Sequence, residues 1–138
     1  MAYLLDTNVV CEFMSRKADP KVLGWLEFHS EDCFLSCVTL GEIWKGIHRM
    51  HAGKRKVAVG RWAEELEENF ASRCFALNST TLKVWGKLCA ANQARGFNLG
   101  TLDSLIAATA LDHKLPVVTR NTRDFPREVK TFNPWTEA

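Results

Sequence analysis

Four carboxylates stand where this sequence could do chemistry: Asp6, Glu42, Asp103 and Asp124. Asp6 closes the apolar run Tyr3-Leu4-Leu5. Glu42 comes soon after Cys33-Phe34-Leu35-Ser36. Asp103 lies in the first turn of a helical pattern, and Asp124 follows Val118-Thr119-Arg120-Asn121-Thr122-Arg123. Each has an ordinary structural explanation. Asp6 or Thr7 can cap a helix, and Thr39 with Glu42 fits the capping box S/T-x-x-E. Asp103 suits the positive end of a helix dipole, and Asp124 can be a loop acid. Gathered in one place, though, four carboxylates repel one another unless a cation neutralises them. Oxygen-only ligands without supporting Cys or His favour Mg²⁺ or Mn²⁺ over zinc. Acidic clusters of that kind activate water and stabilise a phosphoryl transition state.

Only a particular scaffold would gather them. Short apolar runs predict strands at Tyr3–Leu5, Cys33–Ser36, Cys74–Leu77 and Pro116–Thr119, with a fifth at Lys130–Phe132. Amphipathic stretches between them predict helices at Thr7–Met14, Pro20–His29, Val38–Met50, Val57–Phe70, Thr80–Arg95 and Leu102–His113. Ser79 and Thr101 are the expected caps of the last two, and Gly53–Lys56 reads as a loop or helix end. Strands alternating with helices imply an α/β fold whose parallel sheet is covered on both faces. Such sheets bind ligands beyond the carboxyl ends of their strands, which is where the acids fall. Gly41 and Gly46 flank Glu42 within a helix, at roughly 1 kcal/mol each against Ala. That cost suggests close approach of a neighbouring backbone or of substrate. Ala107, Ala108 and Ala110 permit a helix to sit tight on the sheet.

The 138 residues fit one domain, and 46% apolar with 25% charged residues is ordinary for a globular chain. No apolar run approaches the ~18 residues a membrane span needs, and an acid at residue 6 argues against a signal peptide. The chain therefore reads as cytoplasmic and starting at Met1. Five cysteines, an odd number without Cys-x-x-Cys, read as reduced and mostly buried small hydrophobes. The four histidines form no metal-binding pattern, and the five tryptophans read chiefly as packing residues. Net charge is +2, from 18 basic and 16 acidic residues. Setting the four acids aside leaves twelve against 18, a balance of +6. Much of that excess lies between Ile43 and Ala63, which contains no acid. Lys45, Arg49, Lys54, Arg55 and Lys56 there, and Arg120 elsewhere, are candidates for an electrostatic track along a nucleic-acid backbone. A solvated helix face and loop explains the same stretch equally well.

Four motifs in order, Leu5-Asp6-Thr7-Asn8, Leu35-Ser36…Thr39-x-x-Glu42 with Gly46, Asp103-Ser104-Leu105-Ile106-Ala107-Ala108-Thr109-Ala110 and Thr119-Arg120-Asn121-x-x-Asp124-Phe125, carry a resemblance over essentially the whole chain. The sequence resembles the PIN-domain ribonucleases, and within them the VapC-type toxins of bacterial toxin–antitoxin pairs. The closing Phe132-Asn133-Pro134-Trp135 looks like the FitB-like branch. The resemblance implies a PIN-like three-layer sandwich with a central parallel sheet of four to five strands flanked by helices. It implies a catalytic set of Asp6, Glu42, Asp103 and Asp124. Asp6, Asp103 and Asp124 would hold Mg²⁺ or Mn²⁺ directly or through water, and Glu42 would complete that site or position the attacking water. Asn8, Thr119 and Asn121 would support the acids, with Asn121 a competitor of Asp124 for the fourth place. The implied activity is hydrolysis of RNA phosphodiesters. The implied partners are a cognate DNA-binding antitoxin (VapB-like) and a second copy of the chain. Two rivals are a PIN-like module that only binds and a receiver-type signalling domain. A receiver wants an acidic pair before its phospho-acceptor and a Lys after its last strand. Here Asp6 follows Leu4-Leu5, and the late strand ends in Thr119-Arg120.

Overall fold

A computed structural model describes residues 1–138. Its centre is β1 (Tyr3–Leu5). On one side lie β2 (Cys33–Ser36) and β3 (Cys74–Phe75), and on the other β4 (Val117–Val118) and β5 (Thr131–Phe132). All pairings are parallel, and the order is β3-β2-β1-β4-β5. The order reverses between β1 and β4, so the crevice where such sheets take ligands opens just past Leu5 and Val118. Asp6 occupies that place.

Alternation along the strands divides the core in two. Leu5, Leu35 and Val118 face a cluster built by α1 (Thr7–Val10), α2 (Pro20–Phe28), α3 (Cys37–Arg49) and α4 (Lys54–Asn69), through Val9, Val10, Val22, Leu26, Ile43, Ile47, Ala63 and Leu66. Leu4 and Val117 face a second cluster, built by α5 (Ser79–Ala94) and α6 (Thr101–His113) through Leu88, Ile106, Ala107, Ala108 and Ala110. A short α7 (Pro134–Glu137) follows β5 and contacts α2. The helix–sheet–helix sandwich expected from the motifs is the observed architecture. Leu4, Leu5, Val117 and Val118 are no more than 1% exposed. Strands buried on both faces are apolar at every position, as these are. Burying each such side chain contributes about 1.5–3 kcal/mol. The alanines of α6 are essentially inaccessible, which is the tight seat their size permits.

Several boundaries differ from the sequence reading, for identifiable reasons. Helix α3 is capped by Ser36, whose Oγ accepts the Val38 N–H at 3.2 Å, so Thr39 and Glu42 are not a capping box. Asn78, not Ser79, caps α5, accepting the Thr81 N–H at 3.0 Å. Gly100 precedes α6, and Thr101 is already helical. Helix α4 begins at Lys54, three residues early, with Lys54, Arg55 and Lys56 in a first turn that contains no acid. Cations there oppose the helix dipole, which is why the stretch reads as loop. A Cβ on Gly41 or Gly46 would meet nothing within 4 Å, so neither glycine serves a close approach inside the chain. All five cysteines are free, but only Cys33 is fully buried and Cys11 is exposed. Burial pushes the Cys33 thiol up to about 12. All five tryptophans pack, partly buried, on the two clusters. No helix is long and apolar enough to cross a membrane.

Candidate functional site

Asp6 is the residue on which the site is built. It is 5% exposed, and its backbone N–H bonds to the Val118 carbonyl at 2.9 Å, continuing the β1–β4 ladder. Its Oδ1 accepts the Thr7 N–H at 2.8 Å, so it does cap α1. Its Oδ2 accepts two further bonds, from Thr119 Oγ1 at 2.8 Å and Asn8 Nδ2 at 3.1 Å. Thr119 itself is fully buried and receives the Asn121 N–H on Oγ1 at 3.0 Å. The supporting roles expected of Asn8 and Thr119 therefore rest on direct bonds, whereas Asn121 contributes its backbone. Burial raises the Asp6 carboxyl above the usual range, against the lowering effect of Thr119, Thr7 and Asn8, and the Glu42 charge adds to the rise.

The other acids converge on this one. Asp103, in the first turn of α6, is pushed up to about 6 by burial and then by the charges of Asp6, Asp124 and Glu42, in that order. The charges of the other three acids thus all reach Asp103, from just past β1, from α3 and from the 3₁₀ turn Thr122–Asp124. None of them forms a salt bridge with a lysine, arginine or histidine. The chain's ion pairs are Arg95–Glu128, at 2.7 Å, and an Asp112–His113 contact at 3.6 Å. Uncompensated carboxylates with no soft ligand among them fit a hard divalent cation. No three His, Cys, Asp or Glu side chains are close enough to cage an ion unaided. Any ion bound there would therefore need water to complete its coordination.

Two positioning groups were not legible as such in the sequence. Thr7 Oγ1 donates to Glu42 Oε1 at 2.7 Å, and Thr39 Oγ1 lies 3.4 Å from Thr7 Oγ1. Thr7 thus links β1's acid to α3's acid, although its place in Asp6-Thr7-Asn8 suggested only a cap. Beside Asp103, buried Ser104 takes the Trp85 Nε1–H at 2.8 Å and donates to the Thr101 carbonyl at 2.6 Å, pinning the start of α6 to α5. A hydroxyl one residue from an acid was the available signal in both cases.

The basic candidates separate. Arg55 donates to the Met14 carbonyl and shares with Glu42 and Gly46 a cleft of about 270 Å³. Arg120 shares with Asn121, Arg123, Asp124 and Asn133 a wholly polar cleft of about 390 Å³. Lys45, Arg49, Lys54 and Lys56 line neither. A larger cleft of about 430 Å³, walled by Phe13, Leu26, Trp62 and Phe70, includes none of the four acids. Size therefore does not single out the place where the charges of the four acids act together.

Replacing Thr119 by Val keeps the volume and removes the bond to Asp6 Oδ2. That bond lowers the Asp6 pKa, so its loss raises it further and moves the acid limb of any pH–rate profile to higher pH. Divalent-ion affinity should fall about 10–100-fold, as for other residues that orient a metal-binding group. Calorimetric Mn²⁺ titration of Thr119→Val at several pH values measures both effects.

Comparison with known proteins shows the family of the chain. A family model described as PIN domain matches residues 3–129. "Plasmid stability protein StbB" of Pseudomonas syringae pv. tomato is 36% identical, over 96% of this chain and 97% of that protein. "Toxin FitB" of Neisseria gonorrhoeae is 33% identical over 96% and 97%, and "VapC ribonuclease Y4jK" of Sinorhizobium fredii 33% over 98% and 99%. Among solved structures, the crystal structure of FitAcB from Neisseria gonorrhoeae superposes with a TM-score of 0.90 at 31% identity, covering 97% of this chain and 99% of that one. The structure of FitAB bound to the IR36 DNA fragment gives a TM-score of 0.92 at 30% identity, covering 99% and 97%.

Proposed function

The chain belongs to the PIN-domain family, and on that premise we propose that it is a VapC-type toxin, an endoribonuclease that hydrolyses RNA phosphodiester bonds with Mg²⁺ or Mn²⁺ and is restrained by a cognate antitoxin. The observation that carries the reading is the cluster Asp6, Glu42, Asp103 and Asp124. The charges of Asp6, Glu42 and Asp124 all act on Asp103, and none of the four acids is paired with a cation of the chain. The relatives named as toxin and ribonuclease support the same reading.

Asp6, Asp103 and Asp124 would hold the ion, directly or through water. When bound, such an ion lowers the pKa of water and neutralises charge growing on phosphate oxygens. The chain's own groups then do the positioning. Thr119, Asn8 and the Thr7 amide fix Asp6 in one orientation. Thr7 Oγ1 holds Glu42 Oε1, which leaves Oε2 to accept a hydrogen bond from the attacking water and then its proton. No histidine or cysteine nucleophile takes part.

The antitoxin would bind DNA and would place an Arg or a similar group in the pocket, where clustered carboxylates match a guanidinium fork. Two copies of the chain would form the working unit in the cytoplasm. The test is induced expression in a bacterial host. The wild type arrests growth, and both Asp6→Asn and co-expression of the protein encoded by the neighbouring reading frame restore it. Arrest that persists in Asp6→Asn, or no arrest at all, contradicts the proposal.

A further inference from the structure

The polar cleft beside Asp124 has a feature that cation placement alone does not require. Arg120 Cζ lies 5.0 Å from the centroid of the Trp135 ring, while Arg120 as a whole is exposed. The guanidinium carbon sits over an indole, and the residue is open to solvent. Both partners are held. Trp135 packs on the cluster of α1–α4, its N–H is capped by Asn133 Oδ1 at 2.9 Å, and its carbonyl takes Lys21 Nζ at 3.3 Å. The Arg120 N–H donates to Asn8 Oδ1 at 3.2 Å, and its carbonyl accepts Asn133 Nδ2 at 3.4 Å. Asn8 in turn donates to Asp6 Oδ2 at 3.1 Å. A chain of contacts therefore ties the Arg120 backbone, and through Asn133 the Trp135 backbone, to the principal carboxylate.

The cleft that Arg120 helps to line has no apolar residue in its wall. Its lining is Arg120, Asn121, Thr122, Arg123, Asp124 and Asn133. Two guanidiniums suit phosphate oxygens, side-chain amides suit base edges, and a backed guanidinium plane suits a nucleobase, which stacks on Arg as well as on aromatic rings. An apolar peptide segment would find no complement there. We propose that the Arg120–Trp135 pair is a stacking platform for the base of the nucleotide next to the scissile phosphodiester, with single-stranded RNA as its ligand. The inference rests on the ribonuclease reading above and adds a base-binding subsite on the Asp124 side of the acids. It makes Arg120 more than one charge in a diffuse track.

A stack and a charge contact give different results. Binding is measured by fluorescence anisotropy on the full chain carrying Asp6→Asn, in EDTA, so that cleavage plays no part. The probes are a single-stranded RNA oligonucleotide and an abasic ribose-phosphate strand of equal length. Arg120→Lys keeps the charge and loses the plane. It should weaken the RNA roughly tenfold, the size of one lost base stack, and leave the abasic strand unchanged. Arg120→Ala should weaken both, the RNA more. If Arg120→Lys leaves RNA affinity intact, the residue is a charge contact or a protein-docking cation and the proposal fails. It fails equally if both strands lose the same factor, or if the RNA does not bind. Wild-type protein that binds RNA through Arg120 yet cleaves none refutes the nuclease reading and leaves the platform standing. Cleavage with an unaltered Arg120→Lys affinity does the reverse.

Discussion

Asp6→Asn should lower RNA cleavage by about 10²–10³-fold, the loss expected when one group stabilising transition-state charge is removed. The substitution is nearly isosteric at a position 5% exposed, so the fold should persist. Oδ1 can still accept the Thr7 N–H, and the new amide nitrogen, which no longer accepts from Thr119 or Asn8, can donate to Thr119 Oγ1. What disappears is the charge. A second consequence separates metal loss from simple damage. Divalent ions that bind only the folded state stabilise it, by about 2.7 kcal/mol at a hundred times the dissociation constant. The wild type should therefore melt higher as Mg²⁺ or Mn²⁺ is added, whereas Asp6→Asn should not respond. Differential scanning calorimetry with and without Mn²⁺ measures this. A variant that loses activity but still gains stability from Mn²⁺ would assign Asp6 another role.

Asp103→Asn should also abolish most cleavage, yet make the metal-free protein more stable at neutral pH. The Asp103 carboxyl is raised from an ordinary 3.8 to about 6 by burial and by Asp6, Asp124 and Glu42. Between those values the folded state binds more protons than the unfolded state, so stability falls as pH rises through the window. It is greatest below about 3.8 and the penalty is complete above about 6, as far as this residue is concerned. Because the carboxyl is only part-buried, solvent screening reduces the effect to roughly 1 kcal/mol, or about 3–5 °C in melting temperature. Asn removes the penalty. Melting curves from pH 4 to pH 8 in EDTA should show the wild type losing ground on Asp103→Asn as pH rises. With Mg²⁺ added, the wild type should recover and overtake it. Parallel curves at every pH would show that the four acids are not coupled. The gain in stability with loss of function is what a site of uncompensated charge entails.

Much of this was legible in the chain. Tyr3–Leu5 and Cys33–Leu35 are apolar runs in a buried sheet, the second closed by Ser36, so the extents of both strands were read to the residue. The order of strands and helices gave the parallel sheet, and the sheet gave the position of Asp6, Asp103 and Asp124 at its carboxyl end. The caps were harder, because neighbouring polar residues compete for one place. Ser36 against Thr39, Asn78 against Ser79 and Gly100 against Thr101 differ only in backbone geometry. The start of α4 was hidden by Lys54, Arg55 and Lys56, three cations where a helix ordinarily favours acids. Thr7 and Ser104 were hidden for another reason. Their partners Glu42 and Trp85 are 35 and 19 residues away, and no local pattern reports a bond that the fold alone creates. Gly41 and Gly46 suggested crowding, but open space surrounds both. The sequence could signal that a side chain is absent there without showing that nothing takes its place.

Metal-dependent cleavage at Asp6, Glu42, Asp103 and Asp124 is the central proposal, and one titration tests it directly. Purified protein is freed of metal with EDTA, mixed with single-stranded RNA, and given Mg²⁺ or Mn²⁺ in steps. Cleavage should be absent in EDTA, appear with the added ion, and remain absent at every concentration in Asp6→Asn. Cleavage that persists in EDTA, or that Asp6→Asn performs as well as the wild type, would contradict the account.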